Sequence, residues 1–262
     1  LGYPNTIGAD YLPYLIADEI VIPEVHLPRY AESVVFMPET FAVTSPLAID
    51  PAPITRREAG LPEDAFVFCG FNSSYKIEPE VFSAWMRILE QTPNSILWLT
   101  GSSESIEARL KNAAEEQGIA PARLIFTKRV TMARHLARVR LADLYLDTFI
   151  YNGGSTTVCL LRAGLPVLTR IGDRYHNRMA ASMVRAAGLP QMICETTDAY
   201  IARAVHLAAH PDELADIRRR LAENQSAAPL FRPERFIQYL EQAYRQMWTQ
   251  HLEGRRDHIR LA

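Results

Sequence analysis

From Gly60 onward the chain alternates short apolar runs with stretches of helical period, and this repetition constrains the fold more than any other feature. Phe66 to Phe71 precedes a helical pattern from Pro79 to Gln91; Ile96 to Thr100 precedes Ser103 to Gln117; Leu124 to Phe126 precedes Met132 to Arg140. The alternation continues through Leu144 to Leu146, a helix after Gly154, Val167 to Leu168, and a helix from about Tyr175 to Ala187. Short strands that are apolar on both sides belong in a parallel sheet, because parallel strands need crossover connections and right-handed crossovers lay helices on both faces. The expected fold class is α/β, a Rossmann-like parallel sheet with helices on both faces. Ligands of such sheets bind beyond the carboxyl ends of the strands. Three loops rank first: Asn72 to Lys76, Thr127 to Met132, and Tyr151 to Thr157.

The last of these, Tyr151-Asn152-Gly153-Gly154-Ser155-Thr156-Thr157, reads as a strand end, a glycine turn and a helix N-terminus. Glycines let the backbone turn sharply and approach a ligand closely, while the first N–H groups of a helix and the hydroxyls of Ser155, Thr156 and Thr157 can face an anion such as phosphate. An ordinary helix cap explains the same residues equally well. Lys76, five residues beyond Phe71, can neutralise a diphosphate from its loop; an exposed lysine is the commoner outcome for such a position. His135 and Arg138 share a helix face and can meet an anion or stack on a base, or simply be solvated. Arg170, Arg174, His176, Asn177 and Arg178 form a polar cluster that serves either a phosphate or a plain surface loop.

A formal charge of −2 argues against a generally basic nucleic-acid binder, and no run approaches the about 20 apolar residues of a membrane span. Without the basic and apolar regions of a signal peptide near its start, the chain is expected in the cytoplasm. Cys69, Cys159 and Cys194 are odd in number and widely spaced, which suits buried thiols. There is no zinc spacing, no G-x-S-x-G elbow, no Walker lysine and no complete G-x-G-x-x-G pattern, so neither a metal nor a nicotinamide cofactor is expected. Trp85, Trp98, Tyr145 and Trp248 fall in core-like patterns and read as packing residues.

The ends differ from the middle. Residues 1–44 are less regular, and 45–59 form a proline-rich linker. Residues 60–232 hold the repetition, and 233–262 carry an amphipathic helix with Phe236, Leu240, Ala243, Tyr244, Met247 and Trp248 on one face, then a polar stretch from Arg255 to Arg260 expected to fray. Opening at Leu1-Gly2-Tyr3-Pro4 without an initiator Met, the chain looks like part of a longer polypeptide.

Several ordered stretches resemble the C-terminal catalytic lobe of the O-GlcNAc transferase family, glycosyltransferase family 41, which has the GT-B architecture. They are Leu1 to Gly8, Gly60-Leu61-Pro62-Glu63-Asp64, Phe71 to Lys76, Pro93 to Leu99, Ala142 to Thr148, and the glycine turn through Ala163-Gly164. The resemblance implies that residues 60–232 form the uridine-diphosphate-binding lobe and that 1–44 are a remnant of the N-terminal lobe. It also implies that the C-terminal helix crosses back towards that lobe. Position by position, it implies that Lys76 contacts the diphosphate and stabilises its leaving charge. Ser155 and Thr156 match hydroxyls at the helix N-terminus, with Gly154 where many members carry His. Val130 lies where a backbone amide and carbonyl read uracil, His135 and Arg138 match base-side and phosphate-side residues, Tyr151 stands beside the N-acetyl group, and Leu1-Gly2 form a strip near the sugar. Cys159 replaces an acidic residue that receives the ribose hydroxyls, Met132 a lysine that packs on the base, and Ser73 a glutamine.

The implied function is the UDP-sugar-binding lobe of an inverting glycosyltransferase that moves N-acetylglucosamine to Ser/Thr of proteins. Acceptors would be engaged through tetratricopeptide repeats and an N-terminal lobe outside this chain, and the fragment alone is expected to bind weakly without turnover. No metal is expected. The alternatives are a lobe of different nucleotide or sugar specificity, suggested by Cys159 and Met132, and a degenerate scaffold that binds partners without catalysis.

Overall fold

In the computed structural model, which describes residues 4–261, two short strands come first, β1 (Tyr14–Ala17) and β2 (Ser33–Phe36), paired in parallel. Six further strands follow: β3 (Phe66–Gly70), β4 (Ser95–Thr100), β5 (Leu124–Thr127), β6 (Leu144–Leu146), β7 (Val167–Arg170) and β8 (Ile193–Cys194). They form one parallel sheet in the order β5-β4-β3-β6-β7-β8. Renumbered from β3, that order is 3-2-1-4-5-6, a doubly wound sheet whose direction reverses between β3 and β6.

The crossover helices form where the sequence supplies their caps. α1 (Pro79–Gln91) starts with Pro79 at its first turn and the Glu78 carboxylate accepting from the Glu80 and Val81 amides, and it buries Val81, Phe82, Trp85, Met86, Ile88 and Leu89. Gly70 makes room for it: a Cβ there would lie 3.1 Å from both the Trp85 ring and Leu99. Ser103 caps α2 (Glu104–Glu116) and Thr131 caps α3 (Met132–Arg138), while α4 (Ser155–Arg162) follows the glycine turn. Trp85, Trp98 and Tyr145 are fully buried, as their patterns suggested.

Elsewhere the structure departs from expectation. The single helix expected from Tyr175 to Ala187 is a 3-10 turn at Tyr175–Asn177 followed by α5 (Met179–Ala186). The break arises because the Asn177 side chain accepts from the Arg174 amide and its carbonyl accepts from Gly172, which closes a local loop. Two helices not foreseen in the alternation, α6 (Thr197–Ala209) and α7 (Pro211–Asn224), are separated at His210, where Pro211 starts the second; α6 packs beside α1 on the sheet and α7 packs against α6.

The last helix, α8 (Pro233–Leu252), lies over the first strands. Its Phe236, Tyr239, Leu240, Ala243 and Met247 pack on Val35, Met37, Ile259 and Leu261. The tail is not frayed: Ile259–Arg260 forms β9, which pairs in parallel with β2. Arg256 donates to the Pro13 and Ala31 carbonyls, and Gln250 Oε1 accepts from Tyr14 Oη at 2.9 Å and from the Asp257 amide at 2.8 Å, so the polar stretch is tied down by its own polar groups. Trp248, expected to pack, is 62% exposed, because a three-stranded sheet is too narrow to cover the whole apolar width of α8.

Candidate functional site

The loops that follow β3 and β6 flank the point where strand order reverses, and Asp147 lies at its centre. This carboxylate is fully buried. Oδ1 accepts from the Gly153 amide at 2.8 Å and from Asn72 Nδ2 at 3.3 Å, and Oδ2 accepts from Thr169 Oγ1 at 2.9 Å. Thr148 Oγ1 accepts from Asn72 Nδ2 at 2.8 Å and donates to the Tyr151 carbonyl, while Asn152 Nδ2 donates to the Thr148 carbonyl at 2.7 Å. Burial pushes the Asp147 carboxyl up to about 6, against the opposing pull of these bonds and of Lys76. The glycine requirement of the turn rests on Gly153, where a Cβ would sit 2.6 Å from Thr157 Oγ1 and 3.3 Å from Asp147 Oδ1. At Gly154 the nearest atom would be Met179 Cε at 4.0 Å, so a side chain fits.

Beyond this turn no side chain caps α4, which leaves its first amides, beside Ser155 and Thr156, open to an anion. Lys76 ends a 3-10 turn after β3. Its Nζ donates to the Asn152 carbonyl at 2.8 Å and stands 4.2 Å from the centre of the Tyr151 ring, which in turn stacks on His176 at 5.7 Å. Burial lowers the Lys76 pKa, and the Asp147 charge acts in the opposite direction.

The facing wall comes from β5 and α3. Arg138 is buried, with Nη1 donating to Thr127 Oγ1 at 2.9 Å and the Lys128 carbonyl at 2.7 Å and Nε donating to His135 Nδ1 at 3.3 Å. An imidazole whose Nδ1 accepts carries its proton on Nε2. Burial, helped by the Arg138 charge, lowers His135 to about 4, so the ring is neutral at pH 7 and offers one donor. Its edge meets the Phe71 ring at 5.2 Å. Val130 and Met132, by contrast, are 45% and 57% exposed.

A cavity of about 280 Å³ lies between these walls, with Ser73 and Phe71 from the β3 loop, Val130, Met132, His135 and Arg138 from the α3 side, and Ser155, Thr156 and Cys159 from α4. Thr100 and Arg129 complete it. A larger groove of about 740 Å³ runs between α1 and α2 past Ile77, Phe82, Ile106 and Leu110, but it receives neither the glycine turn nor α3. Three strand-end loops converge on the smaller cavity, the position where sheets of this kind hold ligands.

The family profile of Glycosyl transferase family 41 matches residues 1–49 and 50–240. The chain belongs to glycosyl transferase family 41. In an alignment of 261 positions that covers 97% of its length, it is 36% identical to the Arabidopsis thaliana protein named "Probable UDP-N-acetylglucosamine--peptide N-acetylglucosaminyltransferase SEC" and spans 27% of that relative. It is 34% identical over 206 residues to a UDP-N-acetylglucosamine--peptide N-acetylglucosaminyltransferase of Caenorhabditis elegans, with 78% of the chain and 18% of the relative covered. Its fold superposes on a solved mutant O-GlcNAc transferase from Thermobaculum terrenum with a TM-score of 0.84 at 29% identity, over 95% of this chain and 47% of that one. The chain thus spans about a quarter of the length of the Arabidopsis relative it matches.

In this family-41 chain, Ser73, Val130, Met132, His135, Arg138, Ser155, Thr156 and Cys159, all singled out from sequence, line one cavity. Lys76, Tyr151 and Gly154 do not line it; Lys76 and Tyr151 meet at the adjoining turn that Gly154 closes. Leu1 and Gly2 lie outside the described residues. The polar cluster after β7 disperses: Arg170 binds Glu80 and Thr197, Arg178 donates to the Ile20 and Gly172 carbonyls, and Arg174 pairs with Asp173, which leaves His176 to reach the turn. Sequence reading did not single out Thr100 or Asp147, and it took in Arg129 only as part of the Thr127 to Met132 loop. Thr100 and Asp147 share one signal, a polar residue at the carboxyl end of an apolar strand.

Proposed function

We propose that this family-41 lobe binds the uridine diphosphate half of a UDP-sugar, within an inverting transferase that moves N-acetylglucosamine to Ser or Thr of proteins. The observation that carries the proposal is the convergence at one sheet edge of an uncapped helix N-terminus, a clamped glycine turn and the Lys76 ammonium docked on that turn. The base would lie against Val130, Met132 and the Nε2–H face of His135, and the diphosphate would face Ser155, Thr156 and Lys76. The acceptor hydroxyl would attack the anomeric carbon while Lys76 and the α4 amides stabilise the charge arriving on the departing diphosphate. Those fixed donors supply the positive charge a diphosphate needs, so the reading includes no metal ion. Protein acceptors would be engaged by regions outside this chain, in the cytoplasm, and the chain alone would bind nucleotide weakly without turnover. Among the described residues no helix is long and apolar enough to cross a membrane.

Isothermal titration with UDP tests the proposal. Lys76→Ala is expected to weaken UDP about tenfold, the loss of one charge-assisted contact; equal affinities would remove Lys76 from the site. Cys159 favours a second reading, because a half-buried thiol on the cavity wall cannot receive ribose hydroxyls as a carboxylate does. A thermal-shift panel of nucleotide sugars separates the two: uridine compounds stabilise most under the first reading, another nucleotide under the second.

A further inference from the structure

Asp147 is a charged side chain that is fully buried and absent from the cavity lining, yet it is bonded to Gly153 of the glycine turn, to Asn72 beyond β3 and to Thr169 of β7. A turn between β6 and α4 could be held by neutral groups at far lower desolvation cost, since an ionised carboxylate in the interior is expensive unless a counter-charge and several donors surround it. Here the donors are the Gly153 amide, Asn72 and Thr169. Lys76 supplies the opposite charge: its ammonium bonds to the Asn152 carbonyl at 2.8 Å, and the next residue, Gly153, bonds to Asp147 at 2.8 Å, so both charges are fixed to the same turn. The other titratable groups facing the carboxylate are the Tyr145 and Tyr200 hydroxyls, both buried and neutral, and Tyr200 Oη donates to the Asp147 carbonyl at 3.1 Å. Around Lys76 stand the Tyr151 ring and, stacked on it, His176.

We propose that Asp147 is the positioning residue of this site: its buried carboxylate fixes the glycine turn from beneath and is the counter-charge for the Lys76 ammonium docked on that turn. Its value to nucleotide binding rests on the UDP reading above, but the coupling of Asp147 to Lys76 does not. Burial by itself drives a lysine towards its neutral form, which cannot stabilise a departing diphosphate. A carboxylate beneath the turn offsets that tendency without standing in the diphosphate's place.

Asp147→Asn isolates the charge. An amide can still accept from Gly153 and Asn72 and can donate to Thr169, so the bonds survive while the charge does not. Lys76, Lys111 and Lys128 are the only lysines in the chain, so 13C-lysine NMR follows Lys76 directly with two internal references. In Asp147→Asn the Lys76 midpoint is expected to move to lower pH while Lys111 and Lys128 keep theirs, and UDP affinity is expected to fall about tenfold more than in the parent on passing from pH 7 to the alkaline side of the new midpoint. Thr169→Val removes one bond and leaves the charge, and its Lys76 midpoint is expected to match the parent's. An unmoved Lys76 midpoint in Asp147→Asn, or an equal shift in Thr169→Val, overturns the proposal even where the parent binds UDP. A moved midpoint in a chain that binds no UDP upholds the coupling and refutes the UDP reading instead.

Discussion

On the α4 side of the cavity a buried carboxylate holds the turn through Gly153, Thr169 and Asn72, whereas on the α3 side Val130 and Met132 stand 45% and 57% exposed in front of the partly buried His135 and the buried Arg138. Each arrangement suits what it would face. Charge that develops on a diphosphate is stabilised by donors fixed in advance, because reorganising them during the reaction would cancel the gain. A base needs contact area and a few directed bonds, and an open apolar wall with one neutral imidazole provides those with little preorganisation. On the proposed UDP reading, nucleotide preference can therefore change on the α3 wall, or at Cys159, without disturbing the turn.

The sharpest break of this contrast is a pair of alanines in the turn. Gly153→Ala would force a Cβ to within 2.6 Å of Thr157 Oγ1 and 3.3 Å of the Thr157 amide, so the turn must open. A destabilisation of about 2 kcal/mol and loss of more than about 90% of UDP affinity are expected, read by denaturant melts and titration. Gly154→Ala meets nothing closer than 4.0 Å and is expected to cost less than about 1 kcal/mol. Equal effects at the two glycines would mean that the turn is not clamped from beneath.

Acid separates the two walls by sign. Asp147 is raised to about 6 from 3.8, so the folded state holds its proton more tightly and this group's contribution to stability grows as pH falls from about 6 towards 4. His135 is lowered to about 4 from 6.5, so its contribution is complete above 6.5 and is lost as pH falls through 6.5 towards 4. At pH 5 the two are expected to be on the order of 1 kcal/mol each and opposite, the His135 share being discounted for its partial exposure. Melting temperatures at pH 7.5 and 5 should therefore fall more steeply in Asp147→Asn than in the parent, and less steeply in His135→Gln.

How much of this was legible beforehand depended on whether the signal was local. Strand and helix periods placed Phe66 to Phe71, Pro79 to Gln91 and Leu144 to Leu146 nearly residue for residue, and the carboxyl-end rule then selected the three loops that meet. Asp147 was not legible, because an Asp before a turn is commonplace and its burial depends on Thr169 arriving on β7 and Asn72 in the loop after β3. β9 was hidden for the same reason. Ile259 is one apolar residue in a polar stretch, and its partner Val35 belongs to the other end of the chain. Trp248 failed in the opposite direction: helical period shows which residues share a face, not how wide the surface beneath it will be.

The α3 wall gives the smallest effect and the finest test of the contrast. Met132 lines the cavity but is 57% exposed, and no main-chain or side-chain bond of the turn depends on it. Met132→Ala removes apolar contact that solvent already shares, so UDP affinity is expected to change by less than about threefold, with the melting temperature unmoved. Met132→Lys places an ammonium at a position that is already 57% exposed, and it should be tolerated equally well by the fold. If either substitution weakens UDP as much as Lys76→Ala does, the α3 wall is as preorganised as the glycine turn, and the division of labour between the two sides of the cavity collapses.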